Sequence, residues 1–137
     1  NYDQVMEAPV TIALFTDTDL QRRARKIARV GGVKNFTDEQ LQYFMQNLPA
    51  EFARYDAQQT SDYLALNAGL VAMNLVLALT DQGIGTNIIL GFDKSKINEV
   101  LDIEERFRPE VLITVGYAAE KVEPSYRLPV DEIIDKR

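Results

Sequence analysis

The run Ile88-Ile89-Leu90-Gly91-Phe92-Asp93, which follows Gly83-Ile84-Gly85-Thr86-Asn87, is the part of this chain best suited to hold a ligand. A glycine in an apolar loop lets backbone come close to a bound molecule, because no Cβ stands in the way. Two absences limit the chemistry: the 137-residue chain contains no cysteine and no histidine. Without thiolate or imidazole there is no Ser-His or Cys-His nucleophile pair and no metal site built on those ligands. Carboxylates, Tyr, Lys, Arg, backbone amides or a bound cofactor must then carry any reaction. The lack of cysteine also favours a reducing compartment. Gly83-x-Gly85 is a weak nucleotide motif here, since it follows a helical pattern instead of opening one and has no downstream Lys-Ser/Thr.

Two other groups of side chains invite a functional reading. Arg22, Arg23, Arg25, Lys26 and Arg29 form a basic cluster that could meet phosphate or nucleic acid. The net charge of -6 speaks against a general nucleic-acid binder, and a solvated helix face balanced by acids elsewhere is the preferred reading. Tyr43, Phe44, Phe52 and Tyr55 concentrate aromatic surface, either as core or as a wall over a planar ligand.

The elements that must position these residues follow from periodicity. Residues 8–16 read as an interior strand entered after Pro9, ending at Asp17-Thr18-Asp19, which can cap a helix carrying Leu20, Ala24, Ile27 and Ala28 on one face. Gly31-Gly32 closes that helix. Thr37-Asp38-Glu39-Gln40 is a capping box for a second helix through Leu41, Phe44, Met45 and Leu48, with Pro49 either kinking it or starting another. Thr60 or Ser61 is the expected cap of a long helix reaching residues 80–82, and Gly83 its C-terminal cap. That helix is apolar on nearly every side, with Asn67 and Asn74 together on one flank and Gly69 and Ala72 as points of close approach. One domain of this length has few layers to cover such a helix, so dimerisation through it is expected. Its apolar run, residues 63–79, falls short of the ~20 residues a bilayer needs, and no membrane role is expected. Asp93 can cap a short helix over 94–101, residues 110–117 read as a second doubly covered strand, and the tail 123–130 is extended by two prolines. No secretory signal opens the chain, and it has no initiator Met.

Taken in order, Tyr63-Leu64-Ala65-Leu66-Asn67-Ala68-Gly69-Leu70, Gly83-Ile84-Gly85-Thr86-Asn87, Ile89-Leu90-Gly91-Phe92-Asp93, Glu110-Val111-Leu112-Ile113-Thr114-Val115-Gly116-Tyr117 and Arg127-Leu128-Pro129 resemble the FMN-dependent nitroreductase family. Glu7-Ala8-Pro9-Val10 looks like the strand entry that follows the family's first flavin-binding region. The resemblance implies an α+β fold, a mixed β-sheet flanked by helices, with the long helix in a homodimer interface and the C-terminal arm wrapped on the partner. It implies a cytoplasmic flavoprotein that takes two electrons from NAD(P)H onto FMN and passes them to nitroaromatic, quinone or flavin acceptors. The flavin carries the chemistry, with no catalytic side chain and no metal.

Residue by residue, Leu90 and Gly91 match the family loop that lies against the flavin ring, where a backbone amide can donate to ring nitrogen N5. Arg127 matches the phosphate-binding arginine, Ser125 stands where some members carry Lys, and Asn1 falls near a polar residue touching the ring. Phe44 is placed over the substrate pocket. The family's Arg-Arg-Ser-x-Arg and Pro-Ser-x-x-Asn-x-Gln-Pro-Trp types of segment do not occur, so residues 1–137 are expected to form a single, N-terminally incomplete domain. The alternative is a non-catalytic dimeric α+β module, a degenerate relative that no longer binds flavin.

Overall fold

A computed structural model describes residues 1–32, 36–120 and 125–135. The elements in chain order are α1 (Tyr2–Glu7), β1 (Val10–Asp17), α2 (Leu20–Gly32), α3 (Asp38–Phe52), α4 (Ala57–Asp81), β2 (Gly85–Ile89), α5 (Ile97–Val100), β3 (Phe107–Gly116) and α6 (Val130–Ile133). The class is α+β. Three strands form one sheet in the order β1-β3-β2. Val10 pairs with Val115 and Asp17 with Phe107, with a bulge between Leu14 and Phe15, while Gly85 pairs with Gly116 and Ile89 with Leu112. Both pairings are antiparallel, so among the described residues the expected mixed sheet is an antiparallel one. The physical reason is connectivity: the short segment holding α5 brings the chain back from β2 alongside it, and a parallel neighbour would need a full crossover.

The sheet is covered on both faces, as the continuous apolar runs of its strands require. On one face Val111 and Ile113 pack on Ala72 of α4, with Ile12, Leu14, Leu75, Val76 and Val115 around them. Ile113 is fully buried, and side chains of this kind each contribute roughly 1.5–3 kcal/mol. On the other face lie the alternate residues Leu112 and Thr114, both buried. Asn87, opposite Thr114, donates from its Nδ2 to Gln4 Oε1 at 3.0 Å, which ties α1 to this side. Gly116 is required for the entry of β1, because a Cβ there would lie 2.8 Å from the Pro9 ring.

Several local expectations are revised by side-chain caps. The long helix starts a turn before Thr60, because Asp56 and Gln59 form a reciprocal capping box. Asp56 Oδ1 accepts from Gln59 N at 2.7 Å and Gln59 Oε1 accepts from Asp56 N at 3.0 Å. The resulting helix of 25 residues is long and apolar enough, by length and composition alone, to cross a membrane, so the argument from a short apolar run does not carry over to the helix. Its sheet-facing residues Leu64, Ala68 and Ala72 are buried, whereas Leu66, Leu70, Met73 and Leu77 form an outward ridge at 64%, 64%, 47% and 60% exposure. The capping box of Thr37 and Gln40 is present, and Pro49 sits inside α3 without ending it. Gly83 takes φ +73°, the left-handed conformation of a helix terminus. The glycine segment beyond it is the strand β2, and the helix expected over 94–101 is the single turn of α5. The Ala28 side chain and the tail residues Glu123 and Pro124 lie outside the described residues.

Candidate functional site

β2 ends at the buried Ile89, and the chain turns outward so that Leu90 is 68% exposed. Phe92 N closes the turn by donating to Leu90 O at 3.1 Å. Between them, Gly91 uses its carbonyl but not its amide. Asn1 Nδ2 donates to Gly91 O at 3.1 Å, while the Gly91 N–H has no partner among the described residues. An amide left free beside an exposed apolar side chain is a donor available to a ligand. A Cβ on Gly91 would meet Asn1 Nδ2 at 3.1 Å and nothing else within 4 Å, so the open side of this residue is where a flat group can approach.

The first helix supplies the facing polar groups. Asn1 and Gln4 are three residues apart and share one side of α1, the spacing of helical neighbours. Gln4 accepts from Asn87 through Oε1, which leaves its Nε2 as a donor, and Asn1 Oδ1 is likewise left to accept. Carboxamide donors and acceptors beside a free backbone N–H fit the ring nitrogens and carbonyl oxygens of a planar heterocycle. Among the described residues no group of three or more acidic side chains could hold a metal ion.

On the helix side, Ile88, Leu90 and Val111 face Ala65, Gly69 and Met73 of α4 across an apolar groove of about 390 Å³, with Lys94 and Glu110 also lining it. Glu110 is held in place, accepting from Arg108 Nε at 2.7 Å and from the Thr16 hydroxyl. Arg108 then ties β3 to the start of α4 through Ser61 Oγ at 2.8 Å and Ser61 O at 3.2 Å. Lys94 lies 5.8 Å from the Phe92 ring. A Cβ built on Gly69 meets nothing within 4 Å. Beyond the turn, Asp93 Oδ1 accepts from Ser95 Oγ at 2.6 Å and from Ser95 N at 3.0 Å. Those two bonds, the hydroxyl first, hold the Asp93 carboxyl below the usual aspartate range.

Of the residues singled out from the sequence, Asn1, Leu90 and Gly91 come together. The other three lie on other elements. Phe44 stacks on Phe36 with centroids 4.9 Å apart and meets Tyr43 edge-on at 6.0 Å, on an α3 helix packed against α2. Phe52 and Tyr55 belong to a second cluster, with Tyr63. Ser125 and Arg127 are exposed on the C-terminal arm, where Arg127 Nη1 donates to Tyr126 O at 2.8 Å. Gln4, Asn87 and Lys94 were not singled out. The signal for Gln4 was its spacing from Asn1, which is informative only once residues 2–7 are seen to be helical.

Comparison with known proteins places the fold in a family. The sequence pattern described as the Nitroreductase family matches residues 1–117. The chain is 62% identical, over its full length and 68% of the other protein, to "Putative NAD(P)H nitroreductase Spy0809" of Streptococcus pyogenes serotype M6. The crystal structure of a Nitroreductase Family Protein from Streptococcus pneumoniae TIGR4 superposes with a TM-score of 0.94 at 83% identity, covering 100% of this chain and 68% of that one. A structure described as "a putative nitroreductase in complex with FMN", from Exiguobacterium sibiricum 255-15, superposes with a TM-score of 0.88 at 27% identity, covering 98% and 65%. The chain thus spans about two-thirds of the length of these relatives.

Proposed function

Since the chain belongs to the nitroreductase family of oxidoreductases, we propose that it works with FMN, taking electrons from NAD(P)H and delivering them to nitroaromatic, quinone or flavin acceptors. The observation that carries this reading is the meeting of Asn1 with Gly91 beside the exposed Leu90, with the Gly91 N–H unused. When bound, the flavin supplies the two-electron chemistry. The chain supplies position and hydrogen bonds. The Gly91 N–H would donate to the bound ring, a preorganised dipole that needs no reorganisation during reaction. Leu90 would give the ring an apolar surface, and the Asn1 carboxamide, oriented by the Gly91 carbonyl, would offer it an acceptor oxygen.

Arg127 and Ser125 are assigned to the phosphate end, where a guanidinium can give two parallel donors and a hydroxyl one more. Their exposure suits an arm that lies on a second subunit. The Leu66, Leu70, Met73 and Leu77 ridge is the homodimer face, because four large apolar side chains in one row on a helix otherwise stand in water. Phe44, on the exposed edge of α3, is assigned to the acceptor side. The whole of 1–137 is read as one domain, working in the cytoplasm, without nucleic-acid or membrane partners.

The test is direct. Protein incubated with FMN and desalted should stay yellow and oxidise NADH or NADPH when a quinone is present. Arg127→Ala should lose flavin on desalting while remaining dimeric. A colourless wild-type protein without oxidase activity would instead leave the non-catalytic dimeric module as the reading.

A further inference from the structure

The helix α2 carries Arg22, Arg23, Arg25, Lys26 and Arg29 and no acidic residue, in a chain whose net charge is -6. All five side chains are exposed, and none has a hydrogen bond or ion pair among the described residues. Their spacing sets like charges side by side: Arg22 with Arg25 and Lys26, and Arg29 with Arg25 and Lys26, lie three or four residues apart, where like charges destabilise a helix. Arg22 and Arg23 also stand in the first turn, against the positive end of the helix dipole. The acids at that end are otherwise engaged: Asp19 accepts from Arg22 N at 2.9 Å, and Asp17 accepts from Asp19 N at 3.1 Å and faces Arg106 at 3.8 Å. A row of uncompensated cations that weakens its own helix is the kind of local conflict expected where a ligand resolves it.

Four of the five cations are arginines, the residue whose fork of donors matches phosphate oxygens. Val30, 58% exposed and four residues from Lys26, adds apolar surface beside the row on which a purine ring can lie. The position relative to the ring site follows from the sheet. β1 and β2 are both antiparallel to β3, so they run in the same direction, but β2 ends level with Leu112 whereas β1 runs on to Phe107. β2 leads into Leu90 and Gly91 and β1 into α2, so the two exits are separated by β3, about 10 Å across, and by four further residues of β1, about 13 Å along the strand. Arg22 to Arg29 extends the basic row by about 10 Å more along the helix. A dinucleotide whose nicotinamide lies over a ring held at Gly91 has its phosphates farther along the same molecule.

We propose that the basic face of α2 binds the adenosine end of the reductant and selects the form carrying the additional 2′-phosphate, NADPH over NADH. This rests on the oxidoreductase reading above, and its test separates the two. Titration calorimetry on the full chain compares adenosine 2′,5′-bisphosphate with adenosine 5′-monophosphate, neither of which needs flavin or turnover. The bisphosphate should bind about ten-fold tighter or better, the size expected of a charge-assisted contact to one phosphate. Arg25→Gln, Lys26→Gln and Arg29→Gln together should abolish the difference with the circular dichroism unchanged, whereas Arg25→Lys and Arg29→Lys should retain most of it. In steady-state kinetics the neutral triple variant should raise KM for NADPH about ten-fold and leave that for NADH little changed. Equal affinity of the wild type for both nucleotides, an unaffected triple variant, or a parallel rise of both KM values would overturn the assignment. So would tight binding of a DNA duplex with no discrimination between the two mononucleotides. If the wild type neither retains flavin nor oxidises a reductant, the oxidoreductase reading fails, and the calorimetry still judges α2.

Discussion

Replacing Leu70 with Ala isolates what the outer ridge of α4 does. Leu70 is 64% exposed in the protomer, so truncating it removes little internal packing and slightly favours the helix. If the ridge is the dimer face, the same change removes three carbons from a buried interface. At roughly 0.8 kcal/mol per methylene, reduced to the two-thirds of the side chain that a partner can newly cover, the loss is about 1.5 kcal/mol per protomer. A two-fold interface contains the residue twice, which makes about 3 kcal/mol, or about two orders of magnitude in the dimer Kd. Sedimentation velocity over a wide concentration range reads that shift directly. Leu64→Ala is the control: Leu64 is 5% exposed against the sheet, so its truncation should cost roughly 2–5 kcal/mol of protomer stability. A wild type that stays monomeric at every concentration, or a Leu70→Ala dimer as tight as wild type, would refute the reasoning.

Gly91→Val should abolish flavin retention, because the side chain fills the open side of the residue and pushes on Asn1 Nδ2, already 3.1 Å from a built Cβ; a variant that stays yellow and fully active would remove Gly91 from the ring site. Asp56→Ala should cost about 1 kcal/mol in chemical denaturation by breaking the reciprocal cap of α4, whereas Thr60→Ala, at the position first expected to cap, should not show a capping loss. Asp93 has a lowered carboxyl pKa in the folded chain, so its contribution to stability is present above the usual aspartate range and fades as pH falls through the lowered value. Ser95→Ala should move the Asp93 titration back up, followed by NMR of the carboxyl carbon; an unmoved titration would mean that the Ser95 hydroxyl is not the cause.

Much of the framework was legible because it rests on short-range physics. The strand at Val111 to Val115, the cap at Thr37 and the helix stop at Gly83 each depend on residues within a few positions of one another. The start of α4 is ambiguous in the sequence for a related reason. Thr60 and Ser61 are ordinary caps by type, and only the reciprocal bonds of Asp56 and Gln59 decide between competing starts. Segment 85–89 reads locally as part of a loop because Gly83 and Gly85 flank its start and Asn87 interrupts its strand-forming residues; pairing with β3 reverses that balance.

From the sequence alone came the limits on chemistry, since lacking histidine and cysteine is a matter of composition, and the choice of Leu90 and Gly91 as candidates, since an apolar loop glycine is visible without a partner. Tertiary structure decided which polar groups meet that glycine. Asn1 and Gly91 are 90 positions apart, and no local periodicity links them until α1 folds under the sheet and hands one carboxamide to the Gly91 carbonyl. It also decided that the Gly91 N–H is left free, because hydrogen bonding is settled only when every competing donor and acceptor has a place in space.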